Sequence, residues 1–196
     1  MRSLKEVMQN PNIDWDEAAA HVAKKRAELA RDPSRRDEFI EAVPYMRWYE
    51  GIDFRKHPEK YKIGRGEQGV LMAEPYKSEI TPHWRFRTPE IATESAKKIE
   101  AMFHEYMDKG EFPGADMARK FLMMGWTRSR RYANHPSGRK YYKGTRDIIP
   151  LAEDNQTSAM AESARIFKAA YERARTDEEY LKMKRAHQAM SKDTAM

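Results

Sequence analysis

The chain has no cysteine, which excludes disulfide bridges, thiol nucleophiles and cysteine-ligated metal together. It also lacks an apolar run long enough to cross a bilayer, about 18 residues or more, and shows no apolar leader at its start. The expectation is a soluble, cytoplasmic protein with no membrane partner. Catalytic signatures are equally scarce. G-x-S-x-G is absent, and His57, His83, His104 and His135 have no metal-ligand spacing among them. No metal and no cofactor is expected, catalytic residues are unknown from the sequence, and whether the protein is an enzyme stays open. Glycine and proline number only nine and ten in 196 residues, while charged residues reach 35% and apolar ones 40%. That balance belongs to an ordered, highly charged globular chain of one domain, not to a disordered or fibrous one. Thirteen methionines predict an adaptable core or contact surface.

The most informative scarcity is local. From Met117 to Arg146 there is no acidic residue, yet the stretch holds Arg119, Lys120, Arg128, Arg130, Arg131, Arg139, Lys140, Lys143 and Arg146. Residues 1–50, 51–116 and 147–196 each contain one acid more than they have bases, so this stretch supplies the whole formal charge of +6. Such an asymmetry points to an anionic partner.

Helical signals dominate. Asp14 with Glu17 reads as a capping-box variant opening a helix to about Arg31, and Asp32-Pro33 restarts a shorter one through Ala42. Val43–Tyr61, broken by Pro44, Gly51 and Pro58, carries Tyr45, Trp48, Tyr49, Phe54 and Tyr61 and reads as an irregular segment packed by its rings. VLMA and HWRFR predict two short strands of a small hairpin between Val70 and Phe86. Thr88-Pro89 opens a long helix with Ile91, Ser95, Ile99, Met102, Phe103 and Tyr106 in a stripe, ending at Gly110. Ala115–Met124 reads as a short helix closed by Gly125, and Thr127 caps another to about Asn134. Ile148, Ile149 and Leu151 form an expected buried peg. Helices from about Thr157 to Arg175, with Met160, Ala164, Phe167, Ala170 and Tyr171 on one face, and from Thr176 to about Met190 complete the chain. The expected class is mainly α with a small β element (α+β), a compact single-domain helical architecture.

Gly64–Gly69 reads GRGEQG and satisfies the G-x-G-x-x-G spacing of a dinucleotide loop. That chemistry needs a buried strand before the loop and a helix N-terminus after it. HPEKYKI in front is too polar for a buried strand, and VLMAEPY behind meets Pro75 after five residues. A structural turn is expected instead.

In the basic stretch the cations alternate with Phe121, Trp126, Tyr132, Tyr141 and Tyr142. Arginine for phosphates and rings for bases is what a nucleic-acid groove requires. The expected nucleic-acid-binding set is Arg119, Lys120, Trp126, Arg128, Arg130, Arg131, Tyr132, Asn134, His135, Arg139, Lys140, Tyr142 and Lys143. Against it stands the possibility that the rings are core and the arginines pair with Glu94, Glu100 and Glu105. A helix-turn-helix around MGWT is a looser match, since its second helix is short for a major groove. Two other classes stay open. One is a small enzyme acting on a phosphorylated or other anionic small molecule, with Arg65, Glu67, His83 and Arg85 as its anion pocket. The other is an adaptor for an acidic protein partner.

The strings GRGEQGVL, EPYKSEITPHWRF and DMARKFLMMGWTRSRRYANHPSGRKYY resemble the domain of unknown function family 4385, found among bacterial cytoplasmic and phage proteins. The likeness runs from about Asp53 to about Tyr142, more weakly into the last helices. It implies that the glycine loop, the HWRF run and the basic stretch belong to one domain, and it carries no activity, cofactor or catalytic residue. Residues 1–50 look like an added N-terminal helical extension, and 51–196 like the core domain, with the basic segment 117–146 and the C-terminal helices. Deleting residues 1–42 is therefore expected to leave a cooperatively melting remainder, followed by circular dichroism. Deletion to residue 61 should abolish that melt, because each lost core ring costs about 3–5 kcal/mol. A shorter deletion that no longer melts cooperatively would place the first helices in the common core.

Overall fold

Thr88 is followed by proline, whose fixed φ suits the first helical position, and its hydroxyl accepts from the Ile91 amide at 3.3 Å. These signals open the long helix of the expected span. In the computed structural model of the protein, which describes residues 51–193, the elements are α1 (Tyr76–Ile80), α2 (Pro89–Asp108), α3 (Phe112–Asn134), α4 (Ala159–Thr176) and α5 (Glu178–Asp193). Short 3-10 turns at Pro58–Lys60 and Thr81–His83 precede α2. The two expected helices through Ala42, and residues 43–50 of the aromatic segment after them, lie outside the described residues. From Ile52 onward the chain forms one unit.

The expected stripe forms the inner face of α2: Ser95, Ile99, Met102, Phe103 and Tyr106 are buried, and Ile91 alone of that stripe is exposed. Gly110, with φ 71°, reverses the chain and lets α3 pack back on α2. α4 then packs against both, so α2, α3 and α4 enclose the core, while α5 closes on α3, α4 and the Pro58–Lys60 turn. Ser158 rather than Thr157 caps α4, accepting from the Ala161 amide, and Asp177 accepts from the Tyr180 amide at the start of α5.

Three expectations fail. α3 is a single helix through Gly125, not two helices separated there, so no helix-turn-helix exists at MGWT. The glycine is not a terminator. A Cβ at Gly125 would stand 2.3 Å from Cδ1 of the buried Phe167 ring, so the missing side chain is what lets α3 and α4 approach. Gly114 does the same for Tyr76 and Tyr106.

The small β element is also absent among the described residues, where only isolated bridges, Asp53 with Glu74 and Tyr141 with Ile148, occur. Val70–Ala73 is a series of turns, and the next residues coil into α1, with the Glu74 carboxylate accepting from the Ser78 amide and hydroxyl and from Lys77. His83 closes the Thr81–His83 3-10 turn, and the chain is extended from Trp84, yet this segment has no partner strand among the described residues. Trp84 and Phe86 rest on α3 against Phe121 and Tyr132, while Arg85 and Arg87 face solvent. Period-two alternation reports a half-buried extended segment, and here a helix supplies the apolar surface. The expected peg is reversed as well. Ile148 and Leu151 are 58% and 55% exposed, because the loop that carries them stands away from the core.

Gly125→Ala should destabilise the fold by about 1–3 kcal/mol through overpacking on Phe167, outweighing the roughly 1 kcal/mol helix-propensity gain of alanine. Urea denaturation measures it. A stabilised variant would mean that the glycine is not a close-packing residue.

Candidate nucleic-acid interface

The strongest electrostatics are internal. Asp116, Arg119 and Lys120 share one face of α3 by their spacing of three and four residues. The Asp116 carboxylate is fully buried and accepts from Tyr61 and Tyr180 hydroxyls, the latter at 2.7 Å, and from Arg119 Nε and a terminal guanidinium nitrogen at 3.0 and 2.7 Å. Lys120 Nζ, also fully buried, lies 3.6 Å from the same carboxylate and donates to the Gln68 carbonyl at 2.9 Å. Burial alone would raise the Asp116 pKa. The Arg119 and Lys120 charges and the two hydroxyls overcome it and hold the carboxyl at about 2. Burial likewise pulls Lys120 below its ordinary value, against the opposing pull of Asp116. Beside this group His187, buried, sits 2.7 Å from the Tyr61 carbonyl through Nε2 and packs its ring on Phe112. Asp116 stands one residue outside the acid-free stretch, which therefore does not show the counter-charge of Arg119 and Lys120. The i, i+3, i+4 spacing of Asp-x-x-Arg-Lys was the signal.

The expected set therefore divides. Arg119 and Lys120 turn inward to Asp116, and His135 is buried at the C-cap of α3. Trp126 is half-buried, stacked on Tyr171 with ring centroids 5.9 Å apart and with Lys168 Nζ 5.5 Å from its centroid. Arg130 donates to Asn134 and to the carbonyl and side chain of Asn155, while the Asn134 carbonyl accepts from the Ala152 amide at 3.0 Å. These bonds fix both feet of the connection between α3 and α4. Between the feet, Ile149 N–H donates to the Lys140 carbonyl and Tyr142 N–H to that of Asp147, closing a bridged loop.

Arg139, Lys140, Tyr141, Tyr142, Lys143 and Arg146 on this loop are all exposed, as are Arg128, Arg131 and Tyr132 on the last turns of α3. Arg128, Arg131, Arg139, Lys140, Lys143 and Arg146 have no ion-pair partner among the described residues, although Arg119, Arg173 and Arg175 do. Glu100, considered as a partner for the basic stretch, is instead held by Arg173.

Residues 44–190 match the family described as Domain of unknown function (DUF4385). The chain belongs to that family. The matched span contains the glycine loop, the HWRF run and the basic stretch together. Comparisons with curated proteins and with solved structures each returned no match.

In this family member the alternative anion pocket is split between two places. His83 and Arg85 line an open hollow of about 480 Å³ with Glu90, Glu94, Ser95 and Lys98, where charges of both signs meet. Arg65 and Glu67 belong to the glycine turn beside α3: Glu67 accepts from the Thr127 hydroxyl, and the Arg65 amide donates to Gln68 Oε1. Gly66 and Gly69 take positive φ in that turn, and no strand precedes it among the described residues.

Because Asp116 titrates below its ordinary 3.8, its charged form contributes stability that is present above about pH 4 and lost as pH falls toward 2. Asp116→Asn should cost about 3–5 kcal/mol at pH 7, since it strands two buried cations. The deficit should shrink between pH 4 and 2 in denaturation curves of the two proteins. Lys120→Met should cost less, because Arg119 remains as the counter-ion. Equal losses in both variants would show that Lys120 is as necessary as Asp116.

Proposed function

We propose that the protein binds nucleic acid through the bridged loop and the last turns of α3. One observation carries this reading: Arg128, Arg131, Arg139, Lys140, Lys143 and Arg146 are exposed without acidic partners among the described residues and alternate with exposed tyrosines. Cations that serve the fold are paired, as Arg119 is with Asp116 and Arg55 with Glu79 and Glu111. Leaving six unpaired on neighbouring stretches of chain raises local repulsion, which an approaching polyanion relieves while releasing its own counterions. The feet of the loop are fixed by Arg130 and Asn134, so the cations are presented by a supported element. An acidic protein partner would meet the same charges, and the tyrosines favour bases over it. The hollow at His83 and Arg85 is less suited to an anion, because Glu90 and Glu94 share it.

With about four cations engaged at once, log affinity should fall with log salt at a slope near −3 to −4. Replacing Arg128 and Arg131 together by Ala should flatten that slope by roughly 1.5–2 units and weaken all sequences alike, since phosphate contacts position without specifying. Fluorescence anisotropy across a salt series measures both. Arg173→Ala with Arg175→Ala removes the same number of arginines from α4, where each is paired, and should leave the slope unchanged. If that control matches the Arg128 and Arg131 pair, the attraction is diffuse and the localised interface is wrong.

A further inference from the structure

We infer that the nucleic acid taken by this surface is single-stranded, its unpaired bases stacking on Tyr141 and Tyr142 of the bridged loop. The inference rests on the nucleic-acid reading above and deepens it.

Tyr141 and Tyr142 leave 46% and 52% of their surface in water on a loop closed by its own backbone bonds. Other rings of the described residues are engaged in packing: Tyr61, Tyr76 and Tyr180 are buried, Trp126 lies on Tyr171, and the half-exposed Tyr132 stacks on Phe86. Among the described residues no aromatic ring stacks on either loop tyrosine, and Lys140 Nζ stands over the Tyr141 ring, 5.4 Å from its centroid, as a cation at that ring. A tyrosine face with a neighbouring cation is complementary to one nucleotide, base on the ring and phosphate on the ammonium. Every base has such a face, but in a duplex the neighbouring base pairs cover it.

The alternative, a duplex read in its major groove, needs an element that α3 does not supply. A recognition helix enters with its N-terminal residues. Here Arg128 and Arg131 occupy the C-terminal turns of a 23-residue helix, and its end is capped by His135 and covered by the returning loop through the Asn134 to Ala152 bond. Exposed Ile148 is paired with Tyr141 in the antiparallel bridge, a position whose side chain falls on the same side of the ladder as its partner's, and it extends the apolar surface open to an unstacked base.

The test uses the full chain with a fluorescein-labelled mixed-sequence strand of about 20 nucleotides, long enough for one site, and with the same strand annealed to its complement. At equal salt the single strand should bind roughly tenfold or more tightly than the duplex. Tyr141→Ala and Tyr142→Ala should each weaken single-strand binding by about five- to 150-fold with little change in salt slope. Tyr141→Phe and Tyr142→Phe, which keep the ring, should retain it. Both positions are exposed, and unchanged circular dichroism verifies that each variant is folded. Duplex binding as tight as that of the single strand, with the alanine variants unaffected, overturns the single-strand inference and leaves the polyanion reading standing. Failure of both probes to bind at low salt overturns the two together, and binding of anionic lipid vesicles in their place would reassign the surface to a membrane.

Discussion

A carboxylate with no exposed surface cannot remain ionised unless its surroundings replace the water it has lost. Asp116 meets that requirement with two hydroxyls, a two-pronged guanidinium and an ammonium, and those groups come from different parts of the chain. Tyr61 belongs to the segment before α1, Arg119 and Lys120 to α3, and Tyr180 to α5. Satisfying one charge therefore fixes how three segments meet. The glycine turn joins the same group, since the Gln68 carbonyl is the other partner of Lys120. What had the spacing of a cofactor loop serves here as a backbone acceptor for a buried lysine.

Close packing sets the second constraint. Gly125 brings α3 against Phe167, and Gly114 brings it against Tyr76 and Tyr106. With small residues at its contact points α3 runs straight through for 23 residues, and its final turns reach beyond the buried group. The consequence for function is a division of labour along one helix. Its first half neutralises Asp116, and its last turns hold Arg128 and Arg131 at the surface beside the feet of the bridged loop. Charges counted together in the sequence act in two unrelated places.

Much of the fold could be read from local pattern. Thr88-Pro89 and Gly110 bound α2 because capping and left-handed turn geometry are properties of a few adjacent residues. The helices after Ser158 followed from their apolar spacing for the same reason. The small sheet was wrong because alternation in HWRF specifies an extended, half-buried segment without specifying what covers it. Gly125 misled because a glycine at a helix end and one under a phenylalanine are the same letter. Ile148 and Leu151 misled because an apolar run is buried only if some other segment reaches it.

The sequence by itself determined the helical class, the confinement of the basic excess to residues 117–146 and the mixture of rings with cations there, since these depend on composition and on neighbours along the chain. Tertiary structure decided which of those cations face solvent. Lys120 and Lys140 are alike in composition and in the company of aromatic residues. One lies in the core with Asp116, which helical spacing sets beside it, and the other on the loop, because local spacing supplies the counter-charge but only packing decides which face of the helix is buried.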